Sequence, residues 1–495
     1  MKSVPFLWEI GCEEIPADWL PGVTEQLRRL FARSLEGAGL GKGVVEVYGT
    51  PRRLVVHVPE LQEKQPHRRE EITGPPLRIA RTAGGKWSRA ACGFARKNRI
   101  DPKKLVVIRK EKGEYVGFVR EVKGLAAFKL LPSLMASTLR ELRFPKFMSW
   151  DAELPDGRGA FPFGRPIRWM ICVLGGRVVP FEIRGEEKGK VKAGKYSRGH
   201  RFLAPPRKRP GARFAATSFR ELKQGLERHY VLLDSAERRA RIEKALQRVE
   251  KKAKAKRAAG LSVDLVANLV EWPGSVLGTY PDEFLSLPEE VRHTVLIHHQ
   301  KYFPLMGKPA FVAVTNMASD PKGFIRKGSE RVVAARLRDA KFFWEEDLKK
   351  RLIERKPRLQ GVVFHEKLGT YRDKVERMVA LARWLAQRAG LPSGPVERAA
   401  ELAKCDLTTA MVGEFPELQG IMGGLYAREQ GEPEEVWKAV YSHYRPVGLG
   451  EDEDFPLNRE GALVSLADKL DTLTGMFSVG EAPTGSSDPF GLRRI

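Results

Sequence analysis

The sequence predicts an α+β protein of several domains, strand-rich in its N-terminal half and all-α over roughly 335–480, and three observations carry that prediction. At 495 residues the chain exceeds what one hydrophobic core holds. Domains run to roughly 100–200 residues, so about three or four units are expected. Up to about residue 185 the apolar residues come in short, often β-branched runs cut by Pro and Gly, the pattern of strands and close turns. From Thr217, and above all beyond Glu330, they recur at helical spacing.

The elements follow in order. Phe6, Leu7, Trp8 and Ile10 form an apolar run before a turn at Pro16, and Val23, Leu27, Leu30, Phe31 and Leu35 then keep a helical period, so a strand leads into an amphipathic helix. VVEVYGTPRRLVVHVPEL reads as two strands joined at Gly49-Thr50-Pro51, with Arg52 and Arg53 just past the turn. Val106–Ile108 and Tyr115–Val119, separated by Lys110–Glu114, have the form of a hairpin. FPKFMSWD, FPFGRPIRWMICVLGG and VVPFEIRG resemble a buried sheet with close turns. Over 217–260 the spacing of Leu222, Leu226, Ile242, Leu246 and Val249 is helical, with a long basic helix over 236–257. In the all-α unit Val375, Met378, Val379, Ala382 and Leu385 share one face, and Leu463, Leu466, Leu470, Leu473 and Phe477 form a second stripe. The last residues are turn-rich and resume an apolar and basic pattern at Leu492 and Ile495 without a cap, so the natural chain is expected to continue.

Composition narrows the function classes. Hydrophobic residues at 42% and charged residues at 30% suit folded, soluble domains. The first apolar stretch is interrupted by Glu9, Glu13 and Glu14, so it lacks the core of a signal peptide or membrane helix, and a cytoplasmic protein without a membrane partner is expected. Cys12, Cys92, Cys172 and Cys405 show no C-x-x-C spacing, which points to reduced thiols rather than a zinc cluster or disulfide framework. A net charge of +25 gives a field that attracts phosphate polyanions, nucleic acid first among them.

Motifs for nucleotide cradling are missing: there is no G-x-x-x-x-G-K-[ST] loop and no G-x-G-x-x-G after a strand, and G-x-S-x-G and H-E-x-x-H are missing too. Adjacent His298 and His299 point in different directions and suit a metal poorly. The all-α unit invites comparison with HD-superfamily phosphohydrolases, whose ions are held by a histidine, a His-Asp pair and a later aspartate. Here His365, Cys405-Asp406 and Asp468 stand in that order, and Cys405 replaces the imidazole, so the set reads as degenerate and no metal is expected. Asp468 and Asp471 lie three apart and can share a helix face. The stretch SRGHRFLAPPRKRPGAR sets several Arg and Lys beside Phe202, a pattern for phosphate contact and stacking as much as for a solvated loop.

Several segments together resemble the beta subunits of bacterial two-subunit glycyl-tRNA synthetases. They are FLWEIGCEEIPADWL, TPRRLVVHV, FGRPIRWM, SRGHRF, LVEWPGSVLGTYPDEFLSLPEE, HQKYFPL, GSERVVAARLRDAKFFWEEDLKK, LGTYRDKVERM, AKCDLTTAMVGEFPELQGIMGGLYA and LADKLDTLTGMFSVGEAPTGSSDPFGLRR, in order along the whole chain. The resemblance implies a partner alpha subunit in an alpha2beta2 assembly. The alpha subunit would use ATP and Mg to glycylate tRNA(Gly), while this chain, inactive alone and holding no cofactor, positions the tRNA. It also implies the following domains: an α/β segment over 1–60, a domain similar to the editing-type domain of phenylalanyl-tRNA synthetase beta over 61–215, a basic linking region over 216–334, a degenerate HD-like domain over 335–480, and from 481 the start of a region leading to an anticodon-binding domain. Arg198, Arg201, Arg207, Lys208 and Arg209, with Arg238, Arg239, Arg241, Lys251 and Lys252 on the basic helix, are the residues expected to meet backbone phosphates. The rival readings are an active HD-type phosphohydrolase and a stand-alone RNA-binding protein.

Overall fold

The computed structural model describes the chain except residues 1, 42, 83–84, 111–112, 150–151, 186–189, 207, 447–456 and 485–487 and the side chain of residue 494. It contains two compact units: residues 1–244, 262–274 and 315–318 form unit one, and 245–261, 275–314 and 319–495 form unit two.

Unit one is built on an eight-stranded sheet with Ser3–Cys12 running antiparallel between Arg53–Gln62 and Ile167–Leu174. Side chains alternate along a strand. Phe6, Trp8, Ile10 and Cys12 therefore pack with the helices Leu20–Gly37 and Ala127–Glu141, while Leu7, with Val55, Ile171 and Val173, packs with Leu222, Leu226, Val231 and Leu233. Burial on both faces explains why the strand reads as a continuous apolar run. Glu46–Thr50 pairs with Arg53–Gln62 through Thr50↔Arg53, around the turn the sequence predicts. Val191–Gly194, parallel to Ile167–Leu174, continues the sheet into Glu182–Gly185 and Ala152–Glu153. Strands from 3–62 and from 152–194 thus share one sheet, and the segment 1–60 supplies one part of it.

A separate three-stranded sheet holds Arg68–Pro76, Val106–Lys110 and Gly113–Val122. Its last two strands pair from Val106↔Gly117 to Lys110↔Gly113, the expected hairpin, and the helix Arg89–Lys97 packs on it through Ala91 and Ala95. The segment after Thr217 breaks where the periodicity ran it together. The helix Phe219–Arg228 ends before Tyr230, which has φ 60°, and Ser235–Ala253 ends before Lys254, with φ 50°. A left-handed residue stops a helix, so the basic helix is shorter than 236–257.

In unit two the helices Tyr371–Arg388, Ser393–Leu402, Glu434–Ser442 and Arg459–Ser478 enclose a core that includes Met378, Ala382, Val396, Val436, Val440 and Val464. The helix Phe324–Leu348 inserts Val333, Leu337 and Ala340 into a second core with Phe284, Phe311, Met411 and Tyr426. One helix is rotated from expectation. Arg459–Ser478 buries Val464, Ala467, Asp468, Asp471 and Met476 and leaves Leu466 and Phe477 42% and 54% exposed. Its leucine stripe is not the core face, because buried cations draw the two acids inward. No helix among the described residues is long and apolar enough to cross a membrane.

Candidate nucleic-acid interface

Glu9 lies in a strand buried on both faces, where an unpaired carboxylate would be driven to its neutral form. Arg53 supplies the partner. Its Nη1 donates to Glu9 Oε1 at 2.9 Å, Ser197 Oγ at 3.2 Å and the Arg198 carbonyl at 3.0 Å, and its Nε donates to Glu271 Oε1 at 3.1 Å. Thr50 Oγ1 donates to the same Glu271 oxygen at 2.6 Å. Burial raises the Glu9 pKa despite Arg53. At Glu271 burial also works upward, but Arg53, Thr50 and Arg52 outweigh it and hold the carboxyl below its usual range.

The arginines of three quoted motifs gather around this knot. The guanidinium carbons of Arg52, Arg53 and Arg198 stand 5.4, 5.4 and 5.6 Å from the Trp169 ring centroid, within cation–π range. Arg168 donates to Glu13 at 2.8 Å, and Arg201 bonds Glu13 and reaches Glu14 at 2.9 Å. CEE, TPRR, FGRPIRWM and SRGHRF therefore meet at one place, and five arginines there face Glu9, Glu13, Glu14 and Glu271. His200, whose pKa burial lowers, accepts the Phe202 and Leu203 N–H groups on Nδ1 and shapes the turn after Arg198.

The residues expected to meet phosphate fall into three groups. Lys208 and Arg209 are exposed in the loop between Tyr196–Arg198 and Arg213–Ala215, and Lys251 and Lys252 are exposed in the last turn of Ser235–Ala253, with no ion pair among the described residues. Arg198 and Arg201 belong to the cluster on Trp169, Arg239 is 3.5 Å from Asp264, and Arg241 lies 4.2 Å from the Trp272 ring centroid. These cations already have intramolecular partners. Arg238 is a correction. It is fully buried, its Nε donates to the Ala267 carbonyl, Nη1 to those of Leu232 and Leu233, each at 2.8 Å, and Nη2 to that of Gly49 at 2.9 Å. It ties three chain segments to its own helix and cannot reach a phosphate. Arg207 lies outside the described residues.

In unit two the four positions compared with an HD site have other occupations. The Cys405 thiol donates to the Glu401 carbonyl at 3.4 Å, and burial pushes its pKa up to about 12. Asp406 Oδ2 accepts the Gly420 and Gly423 N–H groups at 2.6 and 3.2 Å, while burial raises its pKa to about 6. Asp468 receives Lys374 Nζ at 2.9 Å and Lys404 Nζ at 2.6 Å. Burial alone would raise the Asp468 pKa, but the Lys404 and Lys374 ammonium groups reverse that and hold it far below the carboxylate range. His365 accepts the Lys367 N–H at 3.2 Å on Nδ1 and sets its ring 5.8 Å from Phe490. Two ammonium groups thus take the charge-balancing role that a divalent ion has among carboxylates. They border a cavity of about 360 Å³ that His443, Tyr444, Thr472 and Phe490 also line. Among the described residues no group of three or more His, Cys, Asp or Glu is placed to hold a metal. The sequence reading missed Lys374, Lys404 and His443. The available signal was Lys404 beside Cys405 on an apolar stripe, where a lysine needs a buried partner.

Comparison with known proteins follows the whole chain. The profile of a family described as "Glycyl-tRNA synthetase beta subunit" matches residues 6–495. Proteins called glycine–tRNA ligase beta subunit include that of Syntrophus aciditrophicus, 39% identical over 503 residues, covering 99% of this chain and 70% of the relative. That of Geobacter sulfurreducens is 42% identical over 494 residues, covering 98% and 69%. That of Synechocystis sp. is 40% identical over 506 residues, covering 100% and 68%.

Proposed function

Because the chain belongs to the glycyl-tRNA synthetase beta subunit family, we propose that it is the beta subunit of a glycine–tRNA ligase that binds and positions tRNA(Gly) while a separate alpha subunit, using ATP and Mg, performs glycylation. The observation that carries this reading is the continuous match over residues 6–495. The missing phosphate-cradling loops and the +25 charge support a division in which this chain handles the polyanion and its partner the nucleotide. Holding the acceptor end against the activated glycine accelerates transfer by removing the entropy of encounter, which is catalysis by positioning.

Lys208, Arg209, Lys251 and Lys252 are the phosphate contacts this reading favours, because their charges are exposed and uncommitted; Arg198, Arg201, Arg239 and Arg241 would have to exchange a partner. The finer reading of 61–215 as an editing-type domain rests on the sequence resemblance. That of 335–480 as a degenerate HD-like domain draws support from the lysines on Asp468. An active HD phosphohydrolase is disfavoured by the same donors: a protonated thiol, and carboxylates already engaged by N–H and ammonium groups.

The test is to mix this chain with the alpha subunit, follow mass by light scattering, and assay charging of tRNA(Gly). The expected result is a mixed complex, with alpha2beta2 stoichiometry, that charges tRNA where neither subunit does alone. Equal charging by the alpha subunit alone, with separate elution of the two chains, would refute it.

A further inference from the structure

The helix Phe324–Leu348 has an outward face that its own fold does not use. Ser329, Val333, Leu337, Ala340 and Asp347 point inward. At the same three- and four-residue spacing on the other side stand Phe324, Lys327, Arg331, Ala335, Arg338 and Phe342. The helix pairs its flanking cations with acids: Arg326 with Glu330 at 3.6 Å, Arg336 with Glu414 at 2.9 Å and Lys341 with Glu283 at 3.1 Å. Lys327, Arg331 and Arg338 have no ion-pair partner among the described residues, and the one acid three or four positions from any of them is Glu330, which Arg326 already engages. Between these cations and at both ends of the row, apolar groups are left bare. Phe324 is 69% exposed and Phe342 58%, with Val332 at 42% beside Arg331. Lys322 Nζ lies 5.9 Å from the Phe324 ring, so one end of the row carries a further charge.

From this arrangement we infer that the outward face of Phe324–Leu348 is an RNA-docking surface, on which Lys327, Arg331 and Arg338 take backbone phosphates and Phe342 and Phe324 stack on exposed bases. Eighteen residues at 100° each bring Phe324 and Phe342 to the same side of the helix, about 27 Å apart at 1.5 Å per residue, with the cations between them. A protein interface has the reverse anatomy, an apolar centre depleted of charge inside a polar rim. Here the centre is cationic and the rings stand at the ends. That order suits a phosphate strand whose bases turn out to aromatic platforms, because cations neutralise the backbone while stacking tolerates any base. The inference rests on the beta-subunit reading for the identity of the RNA, tRNA(Gly), but the face was not among the segments from which tRNA contact was expected.

The experiment measures the affinity of the assembled alpha–beta complex for a tRNA(Gly) transcript by filter binding across a salt series. Arg331→Gln/Arg338→Gln is expected to make the slope of log K against log[salt] shallower by roughly 1.5, about 0.7–0.9 for each phosphate left without its cation. Arg331→Lys/Arg338→Lys should restore it. Phe342→Ala is expected to leave the slope alone and weaken binding roughly 5- to 100-fold. All these side chains are exposed, and circular dichroism and light scattering check that fold and assembly persist. Unchanged affinity and slope in an intact complex that binds tRNA as wild type overturns the inference and leaves the subunit reading standing. Loss of alpha association with an unchanged slope overturns it in favour of a protein-docking face. A wild-type complex that binds no tRNA sinks both readings.

Discussion

Acid should loosen unit two through one histidine. His443 is fully buried, its Nδ1–H donates to the Val440 carbonyl at 2.6 Å, and its Nε2 accepts from Lys404 Nζ at 3.0 Å. A second proton on the ring would set imidazolium against ammonium. Burial, reinforced by Lys404, accordingly lowers the pKa from 6.5 to about 3. Between those values the unfolded chain binds a proton that the folded chain refuses, so stability falls as pH falls through that window. At pH 5.0 the unfolded side has gained about 1.5 pH units of this linkage, or about 2 kcal/mol, against almost nothing at pH 7.5. Asp468 does not interfere, since its own contribution is lost only below its ordinary 3.8. His293 and His298 also have lowered values from burial, and Asp406, raised to about 6, works with the opposite sign, but all three remain in a variant and cancel in the comparison. His443→Gln keeps an acceptor for Lys404 and removes the titration. Hydrogen exchange of the Glu434–Ser442 amides, which reports local opening without assuming a two-state chain, should show the change in opening free energy from pH 7.5 to 5.0 to be more unfavourable by about 2 kcal/mol in the wild type than in the variant. Equal changes in both proteins would refute the reasoning.

Two further outcomes test the buried chemistry. Arg53→Met strands Glu9 and Glu271 and should cost unit one roughly 3–5 kcal/mol in urea unfolding followed by tryptophan fluorescence, with much of that loss recovered in Glu9→Leu/Arg53→Met/Glu271→Leu; a loss under about 1 kcal/mol would contradict the uncompensated-charge account. At pH 8 iodoacetamide should label half-buried Cys92 well before Cys12, Cys172 and Cys405, whose thiols are buried and raised, and early alkylation of Cys405 by mass spectrometry would count against that assignment.

Local elements were the legible part of this sequence. The run from Phe6 to Ile10, the turn at Pro51 and the hairpin after Val106 follow from residue chemistry within a dozen positions, and the structure has them. What failed depended on partners far away in the chain. The stripe of Leu463 to Phe477 reads as a core face only while Asp468 and Asp471 are assumed to want water; Lys374, 94 and 97 residues earlier, brings both inside. Arg238 looks like one of many surface arginines until the Gly49 carbonyl, 189 residues away, is placed beside its guanidinium. Glu9 did carry a visible signal, an acid within an apolar strand, but nothing local names Arg53 or Glu271 as the answer to it. Motifs did better than periodicity at the cluster on Trp169, where five of the ten segments that resembled the family meet.

The knot at Arg53 also bears on how the chain is made. Its second carboxylate, Glu271, follows it by 218 residues, and unit one includes 262–274 and 315–318. A ribosome adding about 5–20 residues per second needs roughly 10–40 s to deliver Glu271 after Arg53. Over that interval the nascent sheet has a guanidinium at its centre with only part of its counter-charge, and Arg238 must wait for the Ala267 carbonyl. Unit one therefore closes late, on a segment synthesised after much of its own sheet, and chaperone occupancy of ribosomes stalled between codons 200 and 270 should exceed that of ribosomes stalled past codon 318.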